Sequence, residues 1–588
     1  MIPKSSNIRV LAFIIISLVC CISFASQSWG SGVPIGIPDP MAYFDGFDPI
    51  NSPAPSVSED GSCSRCPNWP TAENPGCYFI DKTDPNATDT NNPYGYPDKP
   101  RLTPPEGRLE AGDFVYFNAG TYTSVDSKGD RFDWSGLGTA ANPIWIVGNP
   151  VNNPTIQDYI HIGMNYATSY LILDHLKING SNRARIDLRP TAEGVSISHV
   201  VIRNCTLTGT QSSNDGTGIT IGPTGGTVPS GTSIKFTVVY NNHISNFGDK
   251  ATTEQCGVYL GFNTDYTWVL NNTIHDMGAD GIAGCHNAND TDKLARHYFI
   301  GGNTIYRNGE NSIDLKAIQD YIISQNDLYG PYTRENGWAI VLHYGAYSVG
   351  CARGWVIFNK IHDAAGGVII TDTNESIYII GNQIFNIYDN PAINDPLNGA
   401  AIGFRGMDGK CLIVNNTLYG YEKAGVRCNQ NLDPSDNVMI ENNIFAGRTS
   451  TSGYEIRVDD GEDRFTIRNN QYYYGQGPAA FYWQDGARTL DYMKSVLGQC
   501  EEGQEADPLL KAPVNDFSLQ SNSPCRDRGL ESQAYADFES QYGFSIRKDA
   551  SGALRSQGEG WDIGAIEYVE DQEGNRAPQA PGNLRVVE

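Results

Sequence analysis

Residues 297–329 read HYFIGGNTIYRNGENSIDLKAIQDYIISQNDLY. One phrase occurs in them twice, as FIGGNTI and as IISQNDL: apolar residues alternate up to an Asn, then come one polar and one apolar residue. The two asparagines, Asn303 and Asn326, stand 23 residues apart. Alternation with a period of two marks strands, and the Gly and Asn between them supply tight turns. A strand phrase that returns after so few residues, with breakers where a crossover helix would have to run, points to a solenoid.

Working outward, the phrase recurs as VVIRNCTL, VVYNNHI, VLNNTI, VIFNKI, IIGNQI, LIVNNTL, MIENNIF and TIRNNQY. The anchoring asparagines are Asn204, Asn242, Asn272, Asn303, Asn326, Asn359, Asn382, Asn416, Asn443 and Asn470, at intervals of 23 to 38 residues. A coil near 23 residues with insertions fits these intervals. A second phrase falls once per coil: Ile219-Thr-Ile, Val258-Tyr-Leu, Ile282-Ala-Gly, Ile313-Asp-Leu, Ile340-Val-Leu, Val368-Ile-Ile, Ile402-Gly-Phe, Val426-Arg-Cys and Ile456-Arg-Val. These strands are expected in one sheet, with first and third residues inward. The outward second positions then stack through Tyr259, Ala283, Asp314, Val341, Ile369, Gly403 and Arg427, and the fourth through Cys285, Lys316, His343, Thr371 and Arg405. Leucine-rich repeats have a similar unit length, but these phrases favour Ile and Val. The expected fold is all-β, a single-stranded right-handed parallel β-helix with stacked asparagines.

The ends read differently. Lys4 and Arg9 precede an apolar run from Val10 to Ile22, and Ser23-Phe24-Ala25 offers small residues for cleavage, so residues 1–25 read as a secretory signal peptide. No later run is long enough to span a bilayer. The expected organisation is a loop-rich region over 26–105, the β-helix over 106–480, a C-terminal cap over 481–570 and a linker-like tail over 571–588. With 41 basic against 67 acidic residues the formal charge is −26, which argues against a nucleic-acid partner. Export makes disulfides available. Cys77 is expected to bond Cys63 or Cys66, and Cys411/Cys428 and Cys500/Cys525 are further candidate pairs.

The opening AGDFVYFNAGTYT with GTAANPIWIVG, the Asn coils, and the ending ADPLL…DFSLQSNSPC…DIGAIEY resemble the exported bacterial β-helix proteins of the pectate lyase superfamily, over roughly residues 75–570. Within that group, NGENSIDLKAIQDYIISQNDLYG followed by WAIVLHYG is similar to the catalytic stretch of the chondroitinase B and alginate lyase family. The resemblance implies that Lys316 takes the role of the catalytic Lys and Asn326 that of the ladder Asn, while His343 stands where the family carries Arg.

Elimination at a uronate unit requires neutralisation of the carboxylate, a base for the C5 proton and an acid for the oxygen leaving C4. Lys316 is expected as base and His343 or Tyr344 as acid, with His286, Arg405 and Arg427 holding substrate. Asp280, Glu310 and Asp314 gather at the mouth of the same strands, a set of oxygens suited to Ca²⁺. The expected function is therefore a secreted, monomeric polysaccharide lyase acting on an acidic polysaccharide. The alternatives are a β-helix glycoside hydrolase or epimerase, or a non-catalytic carbohydrate-binding or adhesion protein.

Overall fold

From Phe114 to Trp483 each coil gives one strand to each of three sheets, which hold 14, 14 and 15 strands and are parallel except for the last strand of the third. The computed structural model describes residues 32–69, 74–105, 107–123, 131–179, 185–213, 215–224, 228–284, 295–332, 337–344, 350–430 and 432–570. One coil shows the pattern: Ser233–Tyr240 lies in sheet 1, His243–Ser245 in sheet 2 and Val258–Leu260 in sheet 3, and Thr264–Leu270 then returns to sheet 1 beside Ser233–Tyr240. This is the right-handed parallel β-helix expected from the repeats, with Ile, Leu and Val of all three sheets filling its interior.

The corner between sheets 1 and 2 carries the asparagine ladder. From Asn242 to Asn470 the backbone N–H of each ladder residue donates to the side-chain oxygen of the next, at 2.8–3.0 Å. Each Nδ2 spans the same gap and also reaches a main-chain carbonyl, as Asn326 does to Ile300 at 3.0 Å. Buried backbone groups that a tight corner would orphan are thereby paired.

Asn204 is a correction. Cys205, not Asn204, holds the ladder place and donates its N–H to Asn242 Oδ1 at 2.9 Å. Asn204 belongs to a parallel outer row with Asn241, whose Nδ2 donates to it at 2.7 Å. Asn204, Asn241, Asn271, Asn415 and Asn442 in this row have φ between 53° and 57°, and Gly302 and Gly381 occupy it at 67°. Left-handed backbone is required there, which is why Asn and Gly recur immediately before the ladder residue.

Three further expectations change. Sheet 1 begins at Cys77–Asp81, which pairs with Phe114–Ala119 inside the region expected to be loop-rich. Its alternation is brief and flanked by Pro, Asn and Asp, so the sequence pattern hides it. At the other end, Leu490, Met493 and Cys500 join the interior core over the last coil, but the segment after them runs back along the outside. Phe517 and Leu519 pack on Phe385 and Ile444, and the outer-row Asn415, Asn442 and Asn469 donate to the carbonyls of Asp562, Leu530 and Arg528. Of the cysteines, Cys66 bonds Cys77, while Cys411, Cys428, Cys500 and Cys525 are buried free thiols.

The outer face of sheet 1 is covered. Trp268 donates to Pro38 O at 2.8 Å and Arg203 to the carbonyls of Pro49, Ile50 and Ser52. Farther along, the helix Gln533–Tyr542 sets Phe538 edge-on against Trp355 and Asp537 on Tyr378 and Lys410. Sheet 3 carries Asp314, Lys316 and His343. The signal-peptide segment and the tail lie outside the described residues, and no described helix is long and apolar enough to cross a membrane.

Candidate functional site

The register of sheet 3 aligns Asp314 with Val341 and Lys316 with His343, and continues from His343 through Thr371 to Arg405. Asp314 and Lys316 are two residues apart on one strand, so they share a face. Lys316 Nζ donates to Asp314 Oδ2 at 2.7 Å, and His343 Nε2 lies 2.9 Å from Asp314 Oδ1. Asp314 is nearly closed off, with 6% of its side chain exposed, whereas Lys316 and His343 keep 14% and 24%. Tyr344 follows on the rim, exposed, its ring edge-on to that of His343 at 6.4 Å.

This arrangement fixes the histidine tautomer. An ionised Asp314 only accepts, so Nε2 carries the proton and the Nδ1 of a neutral His343 keeps its lone pair. Lys316 meets the other oxygen as an ammonium. Behind them, Asp280 Oδ1 accepts from both the N–H and the Nδ2 of Asn311 at 3.1 Å, and Asn311 Oδ1 accepts from Trp338 N at 3.1 Å. Burial, reinforced by the charges of Asp314 and Glu310, holds Asp280 well above its ordinary 3.8, with Lys316 opposing.

The carboxylates expected to hold Ca²⁺ are therefore neighbours. Asp280 Oδ1 is taken by Asn311, and both oxygens of Asp314 are taken by Lys316 and His343. Ca²⁺ takes six to eight oxygens, and an ammonium in the same cluster repels it. Among the described residues no group of three His, Cys, Asp or Glu side chains converges as a metal site.

Arg405 and Arg427 are not brought to Lys316. The segment 389–399 folds across sheet 3, and Leu397 packs with Trp338, Val341, Ala365 and Ile369 into a buried apolar patch. Gly403 makes room for it, since a Cβ there would meet Leu397 Cδ2 at 3.2 Å. Arg405 Nη2 donates to Asp395 at 2.7 Å, and Arg427 donates to Pro396 O and, at 3.2 Å, to Asp459. Both guanidiniums hold this segment down. His286 lies outside the described residues.

A second polar cluster on the same sheet escaped the sequence reading. Tyr159 Oη donates to Asp187 Oδ2 at 2.6 Å, Arg189 Nη2 reaches the same oxygen at 2.8 Å, and Arg185 lies over the Tyr159 ring at 4.5 Å. His161, the strand partner of Asp187, donates from Nε2 to Arg189 O at 2.8 Å. The signal was present as outward polar residues at period two in YIHI and RIDLR, ahead of the recurring phrases.

No protein-family model matches the chain, and no curated protein matches it. Among solved structures it is similar to the periplasmic alginate epimerase AlgG, at 10% identity over 61% of this chain and 85% of that chain, with a TM-score of 0.37. It is also similar to PfbA, a surface adhesin of Streptococcus pneumoniae, at 12% identity over 64% and 87% of the two chains, TM-score 0.42. A third is the family 6 alginate lyase AlyGC, at 14% identity over 70% and 53%, TM-score 0.39.

Proposed function

We propose that the protein is an exported enzyme that cleaves a uronate-containing polysaccharide by β-elimination at Lys316, His343 and Tyr344. The observation that carries this reading is the double contact of Asp314, which places an ammonium and an oriented imidazole side by side at the surface of sheet 3. This reading exchanges two of the roles expected from the sequence. His343 Nδ1 accepts the C5 proton, its imidazolium being stabilised by Asp314 as in a His–Asp pair. Lys316 pairs with the substrate carboxylate and stabilises the charge that builds on it as C5 is deprotonated. Tyr344 gives its proton to O4, the C4–O4 bond breaks, and the electron pair from C5–H becomes the C4=C5 double bond.

Elimination and C5 epimerisation share the first step, and differ in whether C4–O4 breaks or a proton returns to the opposite face. A panel of alginate, pectate and glycosaminoglycan polymers assayed for absorbance of the C4=C5 bond tests the reading. New reducing ends without that absorbance place the activity with hydrolases. Inverted C5 centres in an uncut polymer place it with epimerases, and binding without any change places the protein with adhesins.

A further inference from the structure

We propose that Tyr159, His161, Arg185, Asp187 and Arg189 form a second carbohydrate site on sheet 3, which takes a sugar-acid unit through its carboxylate and a neighbouring hydroxyl. The preference for an acidic sugar rests on the reading of the Lys316 site, but the cluster itself is an independent observation. Thr220, Tyr259 and Ala283 occupy the strands between Asp187 and Asp314, four inter-strand steps in all, or about 19 Å at ~4.8 Å each. The two sites are therefore separate.

The cluster is built, and it is incomplete. His161 and Asp187 are only 2% and 1% exposed, yet among the described residues His161 Nδ1 and Asp187 Oδ1 have no hydrogen-bond partner, and neither do Arg185 Nε and Arg189 Nε. The contact of His161 Nε2 with a carbonyl requires Nε2–H, so a neutral ring presents Nδ1 as an acceptor. Burial pushes the His161 pKa down and favours that neutral ring. Two acceptors and two guanidinium donors thus belong to one cluster of contacting side chains. A lone anion would satisfy the donors only, and an amine the acceptors only. A sugar acid brings a hydroxyl that donates and a carboxylate that accepts, and so matches both sets.

Arg185 is the movable member. Arg189 is held by its hydrogen bond to Asp187, while Arg185 stands 4.0 Å from the same carboxylate, outside hydrogen-bond range, with its plane over Tyr159. Turning toward a ligand carboxylate costs Arg185 no hydrogen bond to Asp187. Leaving buried polar groups unmade is costly, and pairing them on a ligand recovers that cost.

The test is calorimetric titration of mannuronate, guluronate and galacturonate tetramers, with cellotetraose as the neutral control. The protein carries Lys316→Ala and His343→Ala, so nothing is cleaved and the first site is disabled. At least one acidic tetramer is expected to bind, and Arg185→Gln is expected to weaken it about tenfold, the loss of one charge-assisted hydrogen bond. Arg185→Lys should recover part of that loss, with melting temperature unchanged throughout. Tyr159→Phe, which frees Asp187 without removing an arginine, should also weaken binding. Unaltered affinity in both Arg185→Gln and Tyr159→Phe, equal binding of cellotetraose, or no binding of any acidic tetramer overturns the inference. The absorbance assay on the unsubstituted enzyme reports separately: elimination with Arg185-independent binding rejects this site alone, and Arg185-dependent binding without elimination rejects the lyase reading alone.

Discussion

His343 Nε2 sits 2.9 Å from Asp314 Oδ1, a contact made between neighbouring coils and not within one strand. Its consequence is that the imidazole is oriented by a carboxylate that simultaneously anchors Lys316. One nearly buried side chain therefore positions both groups that the proposed chemistry needs.

Asp314→Asn tests this directly. The amide retains the shape but cannot pair with Lys316 as an anion, nor stabilise an imidazolium at His343. We expect kcat on the preferred polymer to fall by about 10²–10⁴, with KM moving far less and the circular dichroism spectrum unchanged. Activity within a few-fold of the parent would remove Asp314 from the mechanism.

Arg405→Ala separates clamping from substrate binding. If the side chain holds segment 389–399 through Asp395, its loss should lower stability by about 1 kcal/mol and speed proteolysis within that segment, leaving KM nearly constant. A raised KM with parental melting and proteolysis would return Arg405 to the substrate.

The ladder and the outer row predict unequal responses to loss of the Asn side chain. Asn326→Ala removes the acceptor for Asn303 N and the donor to Ile300 O, so urea unfolding should show a loss of about 2–4 kcal/mol. Asn271→Gly, at a φ of 56°, keeps an allowed backbone and should change stability by less than about 1 kcal/mol. Equal costs at the two positions would contradict the assignment of separate rows.

The recurrence of these two rows is what made the fold legible. A ladder residue marks each coil, and the alignment of Lys316 with His343 follows from counting within the second phrase, where they stand three residues after Ile313 and Ile340. Asn204 was misread because a single Asn before Cys205 satisfies the same phrase as the second Asn of a pair. The segment over Val341 and Ile369 was hidden for a different reason: Ile393 and Leu397 are isolated apolar residues among Asn, Asp and Pro, and only the folded chain gives them a surface. The Tyr159 cluster precedes the first complete phrase, so no repeat pointed to it.

Asp280 supplies a pH signature for the acidic group behind the site. Because burial and the charges of Asp314 and Glu310 raise its folded pKa, the native state keeps a proton that the unfolded chain releases above about 3.8. The unfolded state then binds fewer protons, and stability falls as pH rises from 3.8 toward the folded value. Asp280→Asn cannot ionise and retains an oxygen for Asn311, so its melting temperature relative to the parent should climb with pH across that window and level off below it. Calcium provides the opposing arm. With Asp280 Oδ1 paired to Asn311 and both Asp314 oxygens paired to Lys316 and His343, the parent should melt at the same temperature in calcium and in chelator. A calcium-dependent rise in melting temperature that disappears in Asp280→Asn would show instead that these side chains rearrange around the ion, and the pH dependence would then have to be read with the metal bound.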